Sequence, residues 1–337
     1  MKNEVVAIEN SEYDDTLSID VYLGNVCNYS CHYCHPGLNE GDKRFPQDYD
    51  LYVKNMDHLL NVYKNNFNKK RIKIELSGGE PTLWPKIGAF GRHLKETHPE
   101  VVCCKLISNG SRTLRWWKEN AECFTEIHLT LHPEGDPYHM IEVADYVYNN
   151  TDNHIAVNVV LDPTDWEASK KRLDIMVNHP TPWLTKSWLL VLGNYVRSDY
   201  TEEQLKEFED RPKKIPPQEY IDKMRERDVI SPPSKATLIY EDGKTEPFNK
   251  LTLKRKQGDN VFTGWECNVG VDRLSCLWGD VIAPCGARYL FDFDNPLSLY
   301  DEKFTKKFLP TMVKPVICRQ PACGICTSDL RIPKRKI

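Results

Sequence analysis

The chain has 337 residues, and its 45 Lys and Arg residues against 49 Asp and Glu residues leave a formal net charge of −4. At 40% hydrophobic and 28% charged residues it falls in the globular range rather than the disordered one. A mildly acidic chain is not typical of a nucleic-acid-binding protein, because phosphate binding requires clustered positive charge. No apolar run is long enough to span a membrane, and the N-terminus lacks the apolar stretch of a signal peptide. We therefore expect a cytoplasmic protein.

Short apolar segments alternate with helical segments over the first part of the chain, up to about Gly193. The first helical segment shows the three- and four-residue spacing of a buried face, with Tyr52, Met56 and Leu59 among its apolar residues. Alternation of this kind predicts an α/β fold with a parallel sheet, open or curled into a partial barrel. Its active site should lie at the carboxyl ends of the strands. The predicted strands are residues 17–23, 71–77, 101–108, 125–131, 155–161 and 187–192.

The remainder of the chain has a different pattern. Residues 201–228 are highly charged, which predicts a solvated helix and linker, with a partner-docking surface as the alternative. Beyond them, short hairpin-like pieces without β/α alternation predict a small cysteine-rich α+β module. We expect three parts: residues 1–200, a charged linker over 201–235, and the second module over 236–337.

Twelve cysteines in a long chain without an export signal indicate metal binding rather than a disulfide scaffold. Two of them, Cys103 and Cys104, lie well upstream of the end of their predicted strand, so we expect them in the core. Cys123 precedes the next strand and should lie at the opposite end from the active site.

The first predicted strand runs into Cys27, Cys31 and Cys34, which form a C-x3-C-x2-C motif. Iron–sulfur clusters are held by cysteine thiolates, and three of them on a 4Fe–4S cluster leave one iron open to a second ligand. A zinc site and a chance spacing are the alternatives for this motif alone.

The motif resembles the signature of the radical S-adenosylmethionine (radical SAM) superfamily, including the aromatic residue before the third cysteine, Tyr33. Further similarities follow later predicted strands. Gly78-Gly79-Glu80-Pro81 resembles the GGEP segment that holds the methionine amino group of SAM, and Ser108-Asn109-Gly110 resembles the ribose-binding turn. Gly193-Asn194 is a weak match to the adenine-side strand end. Asn158 could reach the SAM carboxylate or ribose, although a core amide is an equal alternative.

The resemblance implies a partial (β/α)6 barrel that binds a 4Fe–4S cluster and SAM. In that family the cluster reduces SAM to methionine and a 5′-deoxyadenosyl radical, which removes a substrate hydrogen atom, and an external electron donor such as flavodoxin or ferredoxin is required. The remaining alternative is a degenerate domain that only binds SAM or iron. The resemblance implies SAM contacts at Tyr33, Gly78, Gly79, Glu80, Ser108, Asn109 and Asn158.

The C-terminal cysteines resemble the auxiliary-cluster modules called SPASM and twitch. A hairpin near Gly279-Asp280 separates two cysteines, and its glycine-to-cysteine gap is one residue longer than usual, which predicts a bulge. The shorter twitch form implies a second 4Fe–4S cluster, while a structural zinc site is the alternative. We expect Cys276 to be a buried apolar residue. The implied ligands are Cys267, Cys285, Cys323 and Cys326, with Cys318 as the alternative ligand.

The substrate is either a small molecule, such as a sugar or aminocyclitol, or a ribosomal peptide that is cross-linked or epimerised. Peptide modifiers often carry an N-terminal leader-binding domain, and only about 16 residues precede the first predicted strand, which favours a small molecule. His132, Glu134 and Arg197 are candidate substrate contacts, each with a surface role as the alternative.

Overall fold

A computed structural model describes most of the chain. The described residues are 4–34, 39–180, 184–189, 200–210, 217–226, 235–248, 261–285, 297–319, 323 and 330–337. They include fifteen strands: β1 (Val5–Asn10), β2 (Thr16–Tyr22), β3 (Arg71–Ser77), β4 (Val101–Ser108), β5 (Glu126–Leu131), β6 (His154–Leu161), β7 (Leu184–Leu189), β8 (Ala236–Tyr240), β9 (Thr245–Pro247), β10 (Glu266–Cys267), β11 (Arg273–Leu277), β12 (Val281–Ala283), β13 (Leu297–Ser298), β14 (Val316–Ile317) and β15 (Lys334–Arg335).

Several helices begin at side chains that cap their first turn. Asp48 accepts a hydrogen bond from the Leu51 amide, and Asp136 accepts one from the Tyr138 amide directly before a proline at the first helical position. The described α-helices are α1 (Tyr49–Asn66), α2 (Ile87–Thr97), α3 (Leu114–Asn120), α4 (Pro137–Asn150), α5 (Trp166–Asn178), α6 (Glu202–Asp210), α7 (Gln218–Glu226) and α8 (Phe304–Met312). None of these described helices is long and apolar enough to cross a membrane.

The six predicted strands correspond to β2–β7, so the expected α/β alternation is confirmed. Most boundaries agree to within a residue, but β7 begins three residues before its predicted start. The charged segment contains α6 and α7, as expected for a helical region. Gly193, Asn194 and Arg197 lie outside the described residues.

The chain forms two compact units, and one of the chain positions that separate them falls within β3. The first unit comprises the described residues within 24–45 and 75–230. The second unit comprises those within 1–23, 46–74 and 231–337.

The first unit is built on parallel strands. β4 pairs with β5, β5 with β6 and β6 with β7, and all three pairings are parallel. Every residue of β6 is buried, which is typical of a parallel strand covered on both faces. Cys103 and Cys104 are buried in β4, as expected, and Cys123 is buried in the turn before β5. Parallel strands end at the same edge, so the polar residues that follow them converge there.

The second unit contains an antiparallel sheet in the order β14-β10-β15-β1-β8-β9. Its central strand β1 was not predicted, because only the fold shows that Val5–Asn10 has partners in β8 and β15. The expectation that the first strand begins after about 16 residues was therefore wrong.

In the same unit, β2 pairs in parallel with β11, which forms the predicted hairpin with β12. Trp278 and Gly279 turn the hairpin with positive φ angles of 55° and 85°. The β11–β12 pairing runs without a register shift, so the expected bulge is absent from these two strands. Cys276 is fully buried on β11, as predicted.

A buried ion pair stabilises the second unit. The ammonium of Lys69 donates to the Asp272 carboxylate at 2.7 Å and to the carbonyl oxygen of Tyr13 at 2.5 Å. The Lys69 and Asp272 side chains are only 4% and 5% exposed. Asn268 donates to the other carboxylate oxygen of Asp272. Removing one partner alone would leave a buried charge without its counter-ion.

We predict that Lys69→Met destabilises the protein by about 3–5 kcal/mol, because Asp272 then keeps an uncompensated buried charge. The double variant Lys69→Met/Asp272→Asn should recover part of that loss. Thermal unfolding followed by circular dichroism measures both effects. Lys244→Met removes the exposed Lys244–Asp242 pair and serves as a control that should leave the midpoint unchanged. The prediction would be contradicted if Lys69→Met unfolded at the same midpoint as Lys244→Met.

Candidate active site

The three N-terminal cysteines lie on a loop that buried Asn25 closes at its base. The Asn25 side chain donates to the Asp42 carboxylate at 2.6 Å and accepts from the Lys43 amide at 2.7 Å. The Asn25 backbone amide also donates to the carbonyl of Lys43 at 3.0 Å. One fully buried side chain therefore ties the start of the loop to its end. Sequence analysis missed Asn25, since nothing in its local pattern distinguishes it from an ordinary turn residue.

The residues that follow β5 hold the outer part of this loop. Glu134 accepts a hydrogen bond from the Ser30 amide at 2.8 Å. Nδ1 of His132 lies 2.7 Å from the Tyr33 hydroxyl and 3.6 Å from the Cys31 thiol. Burial lowers the pKa of His132 to about 4, so its imidazole is neutral at physiological pH. In the structure, these two candidate substrate contacts support the cysteine loop.

The glycine pair after β3 packs directly against the start of the cysteine loop. The Gly79 amide donates to the carbonyl of Gly24 at 2.9 Å, and the Glu80 amide donates to the carbonyl of Val26 at 2.8 Å. A Cβ atom on Gly79 would overlap the backbone of Val26. Gly78 has a φ of 134°, which strongly favours glycine. Glycine is therefore required here for close backbone approach.

The Glu80 carboxylate joins the turn after β3 to the turn after β4. One oxygen accepts hydrogen bonds from the amide and hydroxyl of Thr82 at 3.0 and 2.6 Å and from the Ser108 hydroxyl at 2.8 Å. The other oxygen accepts from the Asn109 amide at 2.7 Å. Burial raises the pKa of the fully buried Glu80, and these donors oppose that rise. The contact of Glu80 with SAM stays a prediction, to which the structure adds this positioning role.

The turn after β4 reaches the cysteine loop as well. Asn109 donates through Nδ2 to the side-chain oxygen of Asn28 at 3.0 Å, and the same nitrogen lies 3.9 Å from the Cys27 thiol. Asn28 donates to the Ser111 hydroxyl at 3.0 Å. Three motifs that are far apart in the chain thus form one hydrogen-bonded group.

These motifs surround a cavity of about 230 Å³. The thiols on its wall belong to Cys27, Cys31 and Cys34, all partly exposed. The residues that line it are Cys27, Tyr29, Cys31, Tyr33, Cys34, Asn39, Gly78, Gly79, Ile107, Ser108, Asn109, Thr130 and His132.

Five buried side-chain polar atoms in this unit lack a hydrogen-bond partner among the described residues. Two of them are Oδ1 of Asn158 and Oγ of Ser77, the residue before Gly78. Asn158 pairs in register with Thr130, which lines the cavity. A buried acceptor without a donor is costly unless a ligand or water satisfies it. Three thiols on one wall and an orphaned acceptor beside the cavity fit a thiolate-bound cluster with a polar ligand.

The other unit contains the described C-terminal cysteines. Cys267 on β10 is buried, and burial, together with smaller contributions from the charges of Cys323 and Cys285, raises the pKa of its thiol to about 11. Cys318 and Cys323 pack against the same apolar cluster. Lys334 lies 3.9 Å from the Cys323 sulfur. Cys326 lies outside the described residues.

Comparison with known proteins supports the resemblance that the motifs at Cys27, Gly78 and Ser108 indicated. Residues 21–141 match the family model of the Radical SAM superfamily. No curated protein matches the chain.

Among solved structures, the chain is similar in fold to SuiB from Streptococcus suis, with a TM-score of 0.50 and 14% identity over 89% of this chain and 66% of SuiB. It is also similar to native anSMEcpe with bound AdoMet, at a TM-score of 0.46 and 17% identity over 88% of this chain and 84% of that one. For BtrN in complex with AdoMet and 2-DOIA, the TM-score is 0.39 and the identity 14% over 88% and 86% of the two chains.

The match covers the cysteine loop, the Gly78-Gly79 turn and the Ser108-Asn109 turn, which the structure brings together around one cavity. Over residues 21–141 this chain is therefore similar to radical SAM superfamily domains.

Proposed function

We propose that this protein is a radical SAM enzyme that cleaves S-adenosylmethionine reductively and removes a hydrogen atom from a small polar molecule such as a sugar or an aminocyclitol. The observation that carries the proposal is the cavity, whose walls combine Cys27, Cys31 and Cys34 with the two strand-end turns. These cysteines would hold a 4Fe–4S cluster with one open iron. When bound, the cluster supplies the electron that splits SAM into methionine and a 5′-deoxyadenosyl radical.

The protein's own residues would bind and orient SAM. The backbone at Gly78 and Gly79 lies on the cavity wall without side chains, so a ligand can approach it closely. Ser108 and Asn109 are held in place by Glu80, which limits their freedom before any ligand arrives. The orphaned oxygen of Asn158 would accept a hydrogen bond from a ribose hydroxyl of SAM.

A small substrate agrees with the compact cavity at the strand ends. Its polar wall residues include Thr130, whose hydroxyl offers a donor and an acceptor for a hydroxyl-bearing ligand. A flavodoxin or ferredoxin would supply the electron.

We also propose that the C-terminal cysteines hold a second 4Fe–4S cluster in a twitch-like module over residues 236–337. Its ligands would be Cys267, Cys285, Cys323 and Cys326, with Cys318 as the alternative to one of them. The support is that Cys285 packs against the apolar cluster that contains Cys267, and that the charges of Cys323 and Cys285 both raise the pKa of Cys267. An oxidised cluster there could accept an electron from the substrate radical, so the net reaction would be an oxidation.

Replacing Cys27, Cys31 and Cys34 together with alanine should remove about four of roughly eight irons per anaerobically reconstituted chain. It should also abolish 5′-deoxyadenosine formation with dithionite, because SAM then has no reducing centre. Iron and sulfide analysis and chromatography of the nucleoside measure the two effects.

Cys104→Ala and Cys276→Ala are matched controls, since both cysteines are fully buried, and neither should change the iron content. Nucleoside release by the triple variant would refute the proposed SAM site. Four irons and one zinc in the intact protein would refute the second cluster while leaving the first intact.

Asn158→Leu should weaken SAM binding about tenfold without lowering the melting temperature. The variant lacks the side-chain oxygen that would accept a hydrogen bond from SAM, so binding is weaker. In the free protein the same substitution removes only an unsatisfied buried acceptor, which is neutral or stabilising. Equilibrium dialysis of the reconstituted protein and thermal unfolding measure the two effects.

Asn153→Leu is the control for this variant. Asn153 is equally buried at 5% exposure but donates to the Ala121 carbonyl at 2.7 Å. Its loss should lower the melting temperature and leave SAM binding unchanged. If Asn158→Leu behaved in the same way, Asn158 would be a core amide rather than a ligand contact.

Deuterium transfer identifies the substrate class. Extracts of cells grown in deuterated medium should yield deuterated 5′-deoxyadenosine when incubated with the enzyme, SAM and dithionite, because the radical takes its hydrogen atom from the substrate. We expect this deuterium to survive exhaustive peptidase digestion and to follow the fraction below about 1 kDa, the mass range of drug-sized ligands. Mass spectrometry of the nucleoside measures it. Loss of deuterium after peptidase treatment would instead establish a peptide substrate.

A further inference from the structure

A second cluster of metal-binding side chains lies on three neighbouring strands, apart from the candidate active site. Glu126 and His128 are two residues apart on β5, so they face the same side of the sheet. His154 on β6 pairs directly with Glu126, and Lys105 on β4 pairs with it on the other side. Cys103 lies two residues before Lys105 and therefore shares this face.

The donor atoms of these side chains converge. Oε1 of Glu126 lies 2.5 Å from Nε2 of His128 and 3.2 Å from Nδ1 of His154, and all three atoms lie within 4.8 Å of one another. The Cys103 thiol is 3.4 Å from the other Glu126 oxygen. Donors around a tetrahedral ion with bonds of about 2.0–2.3 Å are roughly 3.3–3.7 Å apart, so only small shifts would admit an ion.

Both histidines and the thiol share the Glu126 carboxylate. Nε2 of His128 and Nδ1 of His154 contact the same carboxylate oxygen as ion-pair partners, and the Cys103 thiol contacts the other oxygen. Lys105, the nearest cation by register, forms its ion pair with Glu75 at 2.8 Å. A carboxylate that two imidazoles and a thiol contact together brings the donor types of a zinc site to one point.

We propose that Glu126, His128, His154 and Cys103 bind a structural zinc(II) ion that joins β4, β5 and β6. Two imidazoles, one carboxylate and one thiolate are all established zinc ligands, and four protein donors leave no open position. Binding would release the Cys103 proton to solvent, because the thiolate is the ligand form. The site is separate from the cavity of the proposed radical chemistry, since Thr130 is the β5 residue that lines the cavity and neither Glu126 nor His128 does.

Zinc(II) added to the anaerobically reconstituted holoprotein tests this site, because the cluster cysteines are then occupied by iron. After removal of loosely bound metal with a weak chelator, we expect about one zinc per chain by mass spectrometry. The zinc-edge X-ray absorption should show mainly nitrogen and oxygen ligands at about 2.0–2.1 Å and one sulfur at about 2.3 Å. Zinc should also raise the melting temperature.

The double variant His128→Gln/His154→Gln should lose this zinc and the thermal shift while keeping its iron. Cys103→Ser should keep the zinc but lose the sulfur contribution. His179→Gln is the matched control, because His179 pairs with the partly exposed Asp145, and its zinc content should match wild type. No zinc in the intact holoprotein, zinc retained by the double variant, or an all-sulfur coordination shell would each overturn the proposal.

Discussion

The buried carboxylate of Glu80 is the interaction on which the candidate active site depends. It accepts hydrogen bonds from the turn that follows it and from the turn after β4. Because a buried carboxylate is stable only when its oxygens are bonded, these donors are held firmly in place. The adjacent amides of Gly79 and Glu80 bond to the cysteine loop. A single constraint therefore fixes three separate motifs relative to one another.

Most polar side chains of the candidate active site hold the cysteine loop and the strand-end turns in place rather than bind a ligand. Glu134 and His132 hold the cysteine loop, and Asn25 closes it. The exceptions are Asn158 and Ser77, whose buried oxygens lack partners among the described residues. Preorganised support around a few unsatisfied groups is the pattern expected of a site that binds a polar ligand with little rearrangement.

One face of β5 carries two groups of polar residues. Thr130 and His132, the latter just past the end of the strand, reach the cavity, whereas Glu126 and His128 belong to the proposed zinc site. Alternation along the strand directs Glu126, His128 and Thr130 to the same side. Polar residues on a buried face need a hydrogen-bond or metal partner. At the start of β5 that partner would be the zinc ion, and at its end it would be the ligand in the cavity. Strand pairing across β4, β5 and β6 would link the zinc site to the strands that position the cavity wall.

The second unit owes its organisation to pairing between distant parts of the chain. β1 lies between β8 and β15, and apolar residues such as Val5, Ile8 and Leu238 form a cluster against which Cys318 and Cys323 pack. The Lys69–Asp272 pair joins two further segments of the same unit. Such contacts cross hundreds of residues of sequence, so local patterns do not reveal them.

The amino-acid sequence by itself determined the α/β alternation, the positions of β2–β7 and the motifs at Cys27, Gly78 and Ser108, because strand periodicity and short ligand spacings are local properties. Only the tertiary structure revealed β1, the role of Asn25 and the bonds from Glu80 to Ser108 and Asn109. It also brought Glu126, His128 and His154 together, although each looks like an ordinary strand residue in sequence. Their donor atoms meet only through strand register, which is set by pairing across the sheet rather than by neighbouring residues.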